Sequence, residues 1–500
     1  MEYDIVLVSS PAFTQECPSL GLASLASYLK EKRYNFLCYD YGIQFYKNSL
    51  KRFKISNPLV EQLKLSLYPL WGASNWLSFD EIISINDGQC LIKSLCPVCS
   101  KLYQPIFHEF VSQISSTQKI LDSYVEELVN IDTKTYGFSL FLGNAIASLY
   151  IISKLKEKKP DTTIIVGGPE TSPYYRAALY SKIDDIDFTI YHSEGEIPIK
   201  YILSYLKGEI SKQSIPGISC KNKNGISKTN PPPRLDLNNI PIPDFELVET
   251  GDKLQSLKTL DLLVSKGCNY HCTFCNESLI WGSFHPKNSR RIFEELRHYV
   301  KQYGITQFEL VDNSFTSSSA FLKALKNLYN AGIKVTWTGN CKINELTKEN
   351  LSQYQKYGLT HCYFGIESGS PKILHLMGKN IDLTHASRLL QLCHLNQIKS
   401  SLYFMVGFPS ETSKDFQKTL DFIETNNAYI YDFLVSVFTL MTGTPIVKSN
   451  LLTPIPLGSK FLNAFTYQTK DGINHEDRKA RFLALQEQRI AFQKSKKLNT

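Results

Sequence analysis

The chain reads as two blocks in which short apolar, β-branched runs alternate with longer segments of helical period. In the first block Tyr3–Ser9 and Asn35–Asp40 have strand character and flank a helix-like Leu20–Lys30. The pattern resumes with a strand at Thr135–Leu140, a helix over Asn144–Lys158, strands at Thr162–Val166 and Phe188–Tyr191, and a helix after Glu194-Gly195-Glu196. Short strands joined by helical crossovers predict an open, mostly parallel sheet, and ligands bind such sheets beyond the carboxyl ends of the strands. Those ends carry Ser9–Cys17, Ser139–Gly143, Gly167–Thr171 and His192–Glu196. Gly167, Gly168, Glu194 and Gly195 are candidate binding positions, since glycine lets a large flat ligand approach the backbone.

The second block gives strands near Leu260–Ser265, Gln307–Val311, Lys334–Thr338, His361–Ile366, Ser400–Val406 and Asp432–Thr439. Helical stretches at Ser289–Tyr303, Ser318–Ala331, Lys348–Tyr357, Leu383–Leu395 and Ser413–Asn426 separate them. Strand-helix repeats of this kind predict a partial (β/α)6 barrel, TIM-like, with its active site on the loops at the carboxyl ends of the strands. The expected division is therefore 1–207 as a Rossmann-like sheet, 208–258 as a proline-rich linker, 259–446 as the barrel and 447–500 as a helical tail. The linker assignment rests on Pro231-Pro232-Pro233 and Pro241-Ile-Pro243, which withhold backbone donors from a regular element. Residues 41–134 far exceed the roughly two to six residues of an ordinary βα connection and read as an insertion in the first domain.

The chemistry sits just after the first barrel strand. Cys268-Asn-Tyr-His-Cys272-Thr-Phe-Cys275 places three thiols in eight residues. Three thiolates on one loop can each hold one iron of a 4Fe-4S cube and leave the fourth iron open to a small molecule. A zinc site would want a fourth ligand, and His271, lying between two of the cysteines, is awkwardly placed to serve. Cys341 is far along the chain and falls at a different strand end. The insertion adds Cys90, Cys96 and Cys99, which could hold a metal or stand as unligated thiols.

Composition is that of an ordinary enzyme with real cores: 500 residues, 43% hydrophobic and 20% charged. Twelve cysteines are too sparse for a disulfide scaffold, and no basic-plus-apolar leader precedes Ile5–Val8. No apolar stretch approaches the roughly 20 residues that span a bilayer, so a cytoplasmic protein is expected. The net charge of +8 is spread along the chain with some concentration from Arg478 to Lys497. A solvated helix face accounts for that better than a nucleic-acid partner, which is not expected.

Several further motifs accompany the cysteines: Phe308-Glu-Leu-Val-Asp312-Asn-Ser-Phe315, Gly365-Ile-Glu367-Ser-Gly369-Ser, Met377-Gly-Lys379 and Phe404-Met-Val-Gly407-Phe-Pro409. With them, Leu260 to about Pro445 resembles the radical S-adenosylmethionine superfamily. Ser10-Pro11, Pro18-Ser-Leu-Gly21-Leu-Ala-Ser-Leu-Ala26, Val166-Gly-Gly-Pro169, Ser193-Glu-Gly-Glu196 and Ile215-Pro-Gly217 resemble the cobalamin-binding domain that precedes this barrel in one large subclass. The resemblance implies a 4Fe-4S cluster on Cys268, Cys272 and Cys275, S-adenosylmethionine cleaved to a 5'-deoxyadenosyl radical, and cobalamin as a methyl carrier. It further implies that Asp312 and Glu367 hold polar groups of S-adenosylmethionine and that Gly407 lets backbone approach the adenine. Lys342 stands where the subclass often has arginine. The leading reaction is methyl transfer to an unactivated carbon of a small molecule or peptide, with an electron donor such as flavodoxin or ferredoxin. Ser9–Leu22 holds no histidine, so the Asp-x-His-x-x-Gly mode of lower-face ligation is excluded. Cyclisation or rearrangement by an enzyme whose first domain holds no corrinoid, methylthiolation, and a non-catalytic corrinoid-binding protein remain open at this point.

Overall fold

A computed structural model describes the chain apart from residues 1, 12–16, 46–118, 142–143, 173–179, 193, 223–224, 252–256, 442, 457–464, 471–472, 474 and 499–500. Cys90, Cys96 and Cys99 thus lie outside the described residues. The chain forms two compact units, one built on Met1–Leu235 and Ile240–Leu254, the other chiefly on Gln255–Pro456 and Phe465–Thr500.

The first unit is a seven-stranded sheet in the order β2-β1-β3-β4-β5-β6-β7. Strands β1 (Ile5–Ser9), β2 (Phe36–Asp40), β3 (Thr135–Ser139), β4 (Thr163–Gly167) and β5 (Phe188–Ile190) run parallel. Every residue of β1 is buried, as expected of a strand covered on both faces. Val6, Val8, Tyr136, Phe138, Ile164 and Val166 pack with Leu128, Ile151 and Leu155 in one core cluster. Helix α1 (Leu20–Glu31) starts at Ser19, whose hydroxyl accepts the Leu22 N–H at 3.3 Å. Asp40, fully buried at the end of β2, accepts the N–H groups of Ser19 at 2.8 Å and Gly42 at 3.0 Å, fixing the helix start to the strand end.

The segment expected to be a linker, 208–258, instead carries a hairpin. Strands β6 (Ile218–Asn222) and β7 (Gly225–Lys228) are antiparallel and extend the sheet beyond β5. Their apolar residues are few, and the prolines at 231–233 that dominate the local composition follow the hairpin and leave its donors intact.

In the second unit six parallel strands stand in chain order: β8 (Thr259–Leu262), β11 (Gln307–Leu310), β12 (Thr336–Cys341), β13 (Leu359–Glu367), β14 (Lys399–Val406) and β15 (Asp432–Val437). A two-stranded ribbon, β9 (Ser265–Lys266) with β10 (His285–Pro286), follows β8. Burial alternates along the sheet. Leu260, Leu262, Phe308, Leu310, Trp337, Phe364, Leu402 and Phe404 are buried, whereas Asp261, Glu309, Thr338, Asn340, Tyr363 and Tyr403 on the other face are more exposed. The buried side includes edge-to-face contacts of Trp337 with Phe315, Phe321 and Tyr354, at centroid distances of 4.9, 4.9 and 5.7 Å. The tail is not helical throughout: the antiparallel strands β16 (Leu452–Pro456) and β17 (Phe465–Thr469) precede the long helix His475–Leu498.

Candidate functional site

The three-cysteine loop follows β8 and the short ribbon strand β9, on the carboxyl-end side of β8 where a barrel presents its chemistry. Cys272 is buried, and Cys268 and Cys275 are half-buried, all three as free thiols. Between Cys272 and Cys275 the chain turns, with the Cys275 N–H donating to the Cys272 carbonyl at 3.2 Å. Thr273 ties the turn to the 376–377 segment, its N–H reaching the Met377 carbonyl at 2.9 Å and its hydroxyl the Leu376 carbonyl at 3.0 Å. Phe274 packs edge-on against Phe408 at 6.4 Å, beside a cluster of Ile373, Met377, Phe438 and Ile446. Hydrogen bonds and apolar contact therefore both seat the loop.

The donor set suits a cube. Burial pushes the Cys275 thiol up to about 11, a cost that iron coordination reverses because a bound thiol is held deprotonated. Among the described residues no three His, Cys, Asp or Glu side chains could hold one metal ion in common. A cube asks something different, one thiolate for each of three irons. His271 is exposed. Cys341 is buried in the wall of the sheet beside Cys362 and Cys393.

Asp312 lies at the end of β11 and is 2% exposed. It accepts the Val264 N–H at 2.9 Å and the Ser265 hydroxyl, so both carboxylate oxygens anchor the chain that leads into the cysteine loop. Burial is the main reason its carboxyl is pushed up to about 6. Glu367 ends β13 with a positive φ of 68°, just past a register shift between Gly365 and Glu367. Its Oε1 lies 2.8 Å from Lys379 Nζ, which also donates to the Gly365 carbonyl at 2.6 Å. Lys342 Nζ sits 4.4 Å from the centroid of the Tyr270 ring. Lys342, Tyr270, Cys272, Gly365 and Lys379 line one cavity. Gly407 has φ +73°, and a Cβ there would come within 2.4 Å of Arg478 Cγ; its N–H donates to Glu411 Oε2 at 2.8 Å.

In the first unit Gly168 has φ +103°, and a Cβ would meet the Leu140 carbonyl oxygen at 2.4 Å. Its glycine is thus demanded by packing against the end of β3. Gly167 is under no such constraint, and Gly195 stands at the start of helix Glu196–Leu206, where a Cβ would touch Leu25 at 3.4 Å. Glu194 is buried and accepts the Leu235 N–H at 3.0 Å. The feature that asks for a ligand is different: the hydroxyls of Ser9, Ser10 and Ser172 are buried without a hydrogen-bond partner among the described residues. Ser9 ends β1 and Ser10 directly follows it, and Ser172 follows β4. Buried hydroxyls are normally satisfied, and ligands of parallel sheets bind at these strand ends, which makes the three hydroxyls candidate ligand contacts.

Two residues of the site are not marked as such by the sequence. Lys379 was visible in its motif but carried no role there, and Glu345 gave no sequence signal, although it accepts the Tyr270 hydroxyl at 2.6 Å.

The Radical SAM superfamily model matches residues 262–423. An uncharacterized methyltransferase of Pyrococcus horikoshii is 26% identical over 337 residues, covering 66% of this chain and 70% of that protein. An anaerobic magnesium-protoporphyrin IX monomethyl ester cyclase of Rubrivivax gelatinosus is 24% identical over 275 residues, covering 53% of this chain but only 49% of the cyclase. The structure of the cobalamin-dependent S-adenosylmethionine radical enzyme OxsB with aqua-cobalamin bound superposes with a TM-score of 0.64 at 15% identity, covering 98% of this chain and 72% of OxsB. The second unit is thus a radical SAM domain, and with it the class of cofactors is a 4Fe-4S cluster and S-adenosylmethionine. Residues 262–423 match the radical SAM superfamily, and the fold of the chain is like that of OxsB. Among the described residues no helix is long and apolar enough to cross a membrane.

Proposed function

We propose that this chain is a cobalamin-dependent radical SAM methyltransferase that acts on an unactivated carbon of a small molecule or peptide. The observation that carries the corrinoid part is the set of buried, unpartnered hydroxyls of Ser9, Ser10 and Ser172 at the carboxyl ends of a parallel sheet. They would donate to, or accept from, the amide-rich rim of a corrin. The similarity to a methyltransferase of Pyrococcus horikoshii supports the reaction class.

When bound, the cluster supplies the electron that cleaves S-adenosylmethionine, and the corrinoid carries the methyl group. The chain's own residues have narrower tasks. Cys268, Cys272 and Cys275 would hold the cluster, and Asp312 fixes the entry to their loop through Val264 and Ser265. Lys379 neutralises Glu367 and occupies its Oε1, while Oε2 accepts no hydrogen bond from the described residues and can receive an ammonium or a ribose hydroxyl. Gly407 would let backbone approach the adenine, while the buried Phe408 beside it seats the cysteine loop through Phe274. Electrons would come from a small redox protein such as flavodoxin or ferredoxin.

Anaerobic reconstitution tests the proposal. Iron, sulfide and corrinoid are counted per chain, then deoxyadenosine is measured after addition of S-adenosylmethionine and a strong reductant. One cube and one corrinoid per chain are expected. A second reading, cyclisation or rearrangement, draws on the similarity to the protoporphyrin ester cyclase. Deoxyadenosine release by a chain that takes up no corrinoid would favour it and sink the methyltransferase proposal.

A further inference from the structure

A single carboxylate gathers three strand-end loops beside the cysteines. Tyr270, midway between Cys268 and Cys272, donates its hydroxyl to Glu345 Oε1 at 2.6 Å. Glu345 closes the turn Ile343–Glu345 just after β12. Its Oε2 receives the Ser314 hydroxyl at 3.2 Å and the Thr316 hydroxyl, both from the loop after β11, with the Ser317 hydroxyl at 3.5 Å. The backbone of the hub is itself held, since Asn350 Nδ2 donates to the Glu345 carbonyl at 2.9 Å. On the face of the Tyr270 ring Lys342 Nζ lies 4.4 Å from the centroid. An ammonium over an aromatic face is attractive, so the ring is gripped at its edge by the carboxylate and on its face by the cation.

A carboxylate satisfied by several hydroxyls is a strong, directional acceptor, and each hydroxyl it orders loses freedom that would otherwise blur the geometry. Resting on the functional reading above, we propose that Glu345 and Tyr270 are positioning residues that set the orientation of the three-cysteine loop and hence of the open face of the cluster. In this role they act through the loop they hold. The tie at Tyr270 complements the one at Thr273, so the loop is pinned on both sides of Cys272.

The test uses the full chain reconstituted anaerobically as parent, Tyr270→Phe, Glu345→Gln and the double variant. Tyr270→Phe removes only the hydroxyl and keeps the ring under Lys342; Glu345→Gln keeps the shape and halves the acceptor capacity. Both are expected to retain the parent's iron and sulfide. The electron paramagnetic resonance spectrum of the reduced cluster should change in its response to S-adenosylmethionine, and KM for S-adenosylmethionine in deoxyadenosine release should rise about tenfold, the loss of one charge-assisted hydrogen bond. Because the two residues share one interaction, the double variant should be no worse than the poorer single one. Spectrum and KM indistinguishable from the parent in both single variants would overturn the proposal, as would full additivity in the double. If Glu345→Gln fails to fold, Tyr270→Phe decides alone. A parent that takes up no cluster would instead overturn the functional reading, so the two failures are separable.

Discussion

Lys379 Nζ lies 2.8 Å from Glu367 Oε1, with the two side chains only 8% and 12% exposed. The pair joins the end of β13 to the Met377-Gly-Lys379 segment. It also holds Glu367 at a positive φ that a non-glycine residue adopts only when its surroundings insist. Breaking a buried pair from one side leaves an uncompensated charge, which costs about 3–5 kcal/mol. Lys379→Met should therefore lower the midpoint of urea unfolding markedly, and Lys379→Met with Glu367→Gln should recover most of the loss. A single variant as stable as the parent would show that the pair is not buried in solution.

The cysteine loop makes a sharper claim. Cys268→Ala, Cys272→Ala and Cys275→Ala should each reduce deoxyadenosine release under strong reductant to background, while far-UV circular dichroism stays that of the parent. The loop's seat on Phe408 and Met377 does not depend on the thiols, so the barrel has no reason to unfold. Turnover retained by any one of the three would remove that residue from the cluster.

Asp312 gives a pH signature. Its carboxyl is raised from 3.8 to about 6, chiefly by burial. A folded-state value above the unfolded one means stability that is fully present below about 4 and lost as pH rises through about 6. Asp312→Asn cannot ionise, so the parent's stability relative to the variant should fall between pH 4 and pH 7, by no more than about 3 kcal/mol. Denaturant unfolding of both chains at several pH values measures it; a difference independent of pH would mean that Asp312 is ionised throughout this range.

What could be read from the chain and what could not divides along physical lines. The strand runs such as His361–Ile366 and Ser400–Val406 announce themselves because their buried residues, Cys362, Phe364 and Ile366 or Leu402, Phe404 and Val406, recur at every second position. The cysteines announce themselves because their ligation is local. Glu345 does not: its partner Tyr270 lies 75 residues away, and a carboxylate in a polar turn looks solvated until the fold brings hydroxyls to it. Lys379 escaped for the same reason, a lysine being ordinarily a surface residue. The buried pair of Lys287 with Glu295, at 2.6 Å, is a further case. The hairpin Ile218–Lys228 was hidden by the prolines that follow it.

The C-terminal helix tests whether the end of the chain belongs structurally to the barrel. Arg489 meets Asp432 in a fork, Nε to Oδ1 at 2.9 Å and Nη2 to Oδ2 at 2.6 Å, and Gln493 adds 3.2 Å contacts to both oxygens. Phe492 packs edge-on against Phe433 of β15 at 5.7 Å. Strand β15 is an edge of the six-stranded sheet, and a docked helix shields an edge that would otherwise invite pairing with another chain. Bidentate arginine-carboxylate geometry in a half-buried setting is worth about 1–3 kcal/mol. Arg489→Ala should accordingly open 475–498 to limited proteolysis and raise the tendency to aggregate, whereas Arg489→Lys, a point charge without the fork, should restore only part of the protection. Unchanged cleavage in both variants would show that the other contacts of the helix, Phe492 on Phe433 and Arg481 on Glu411 among them, hold it without the fork.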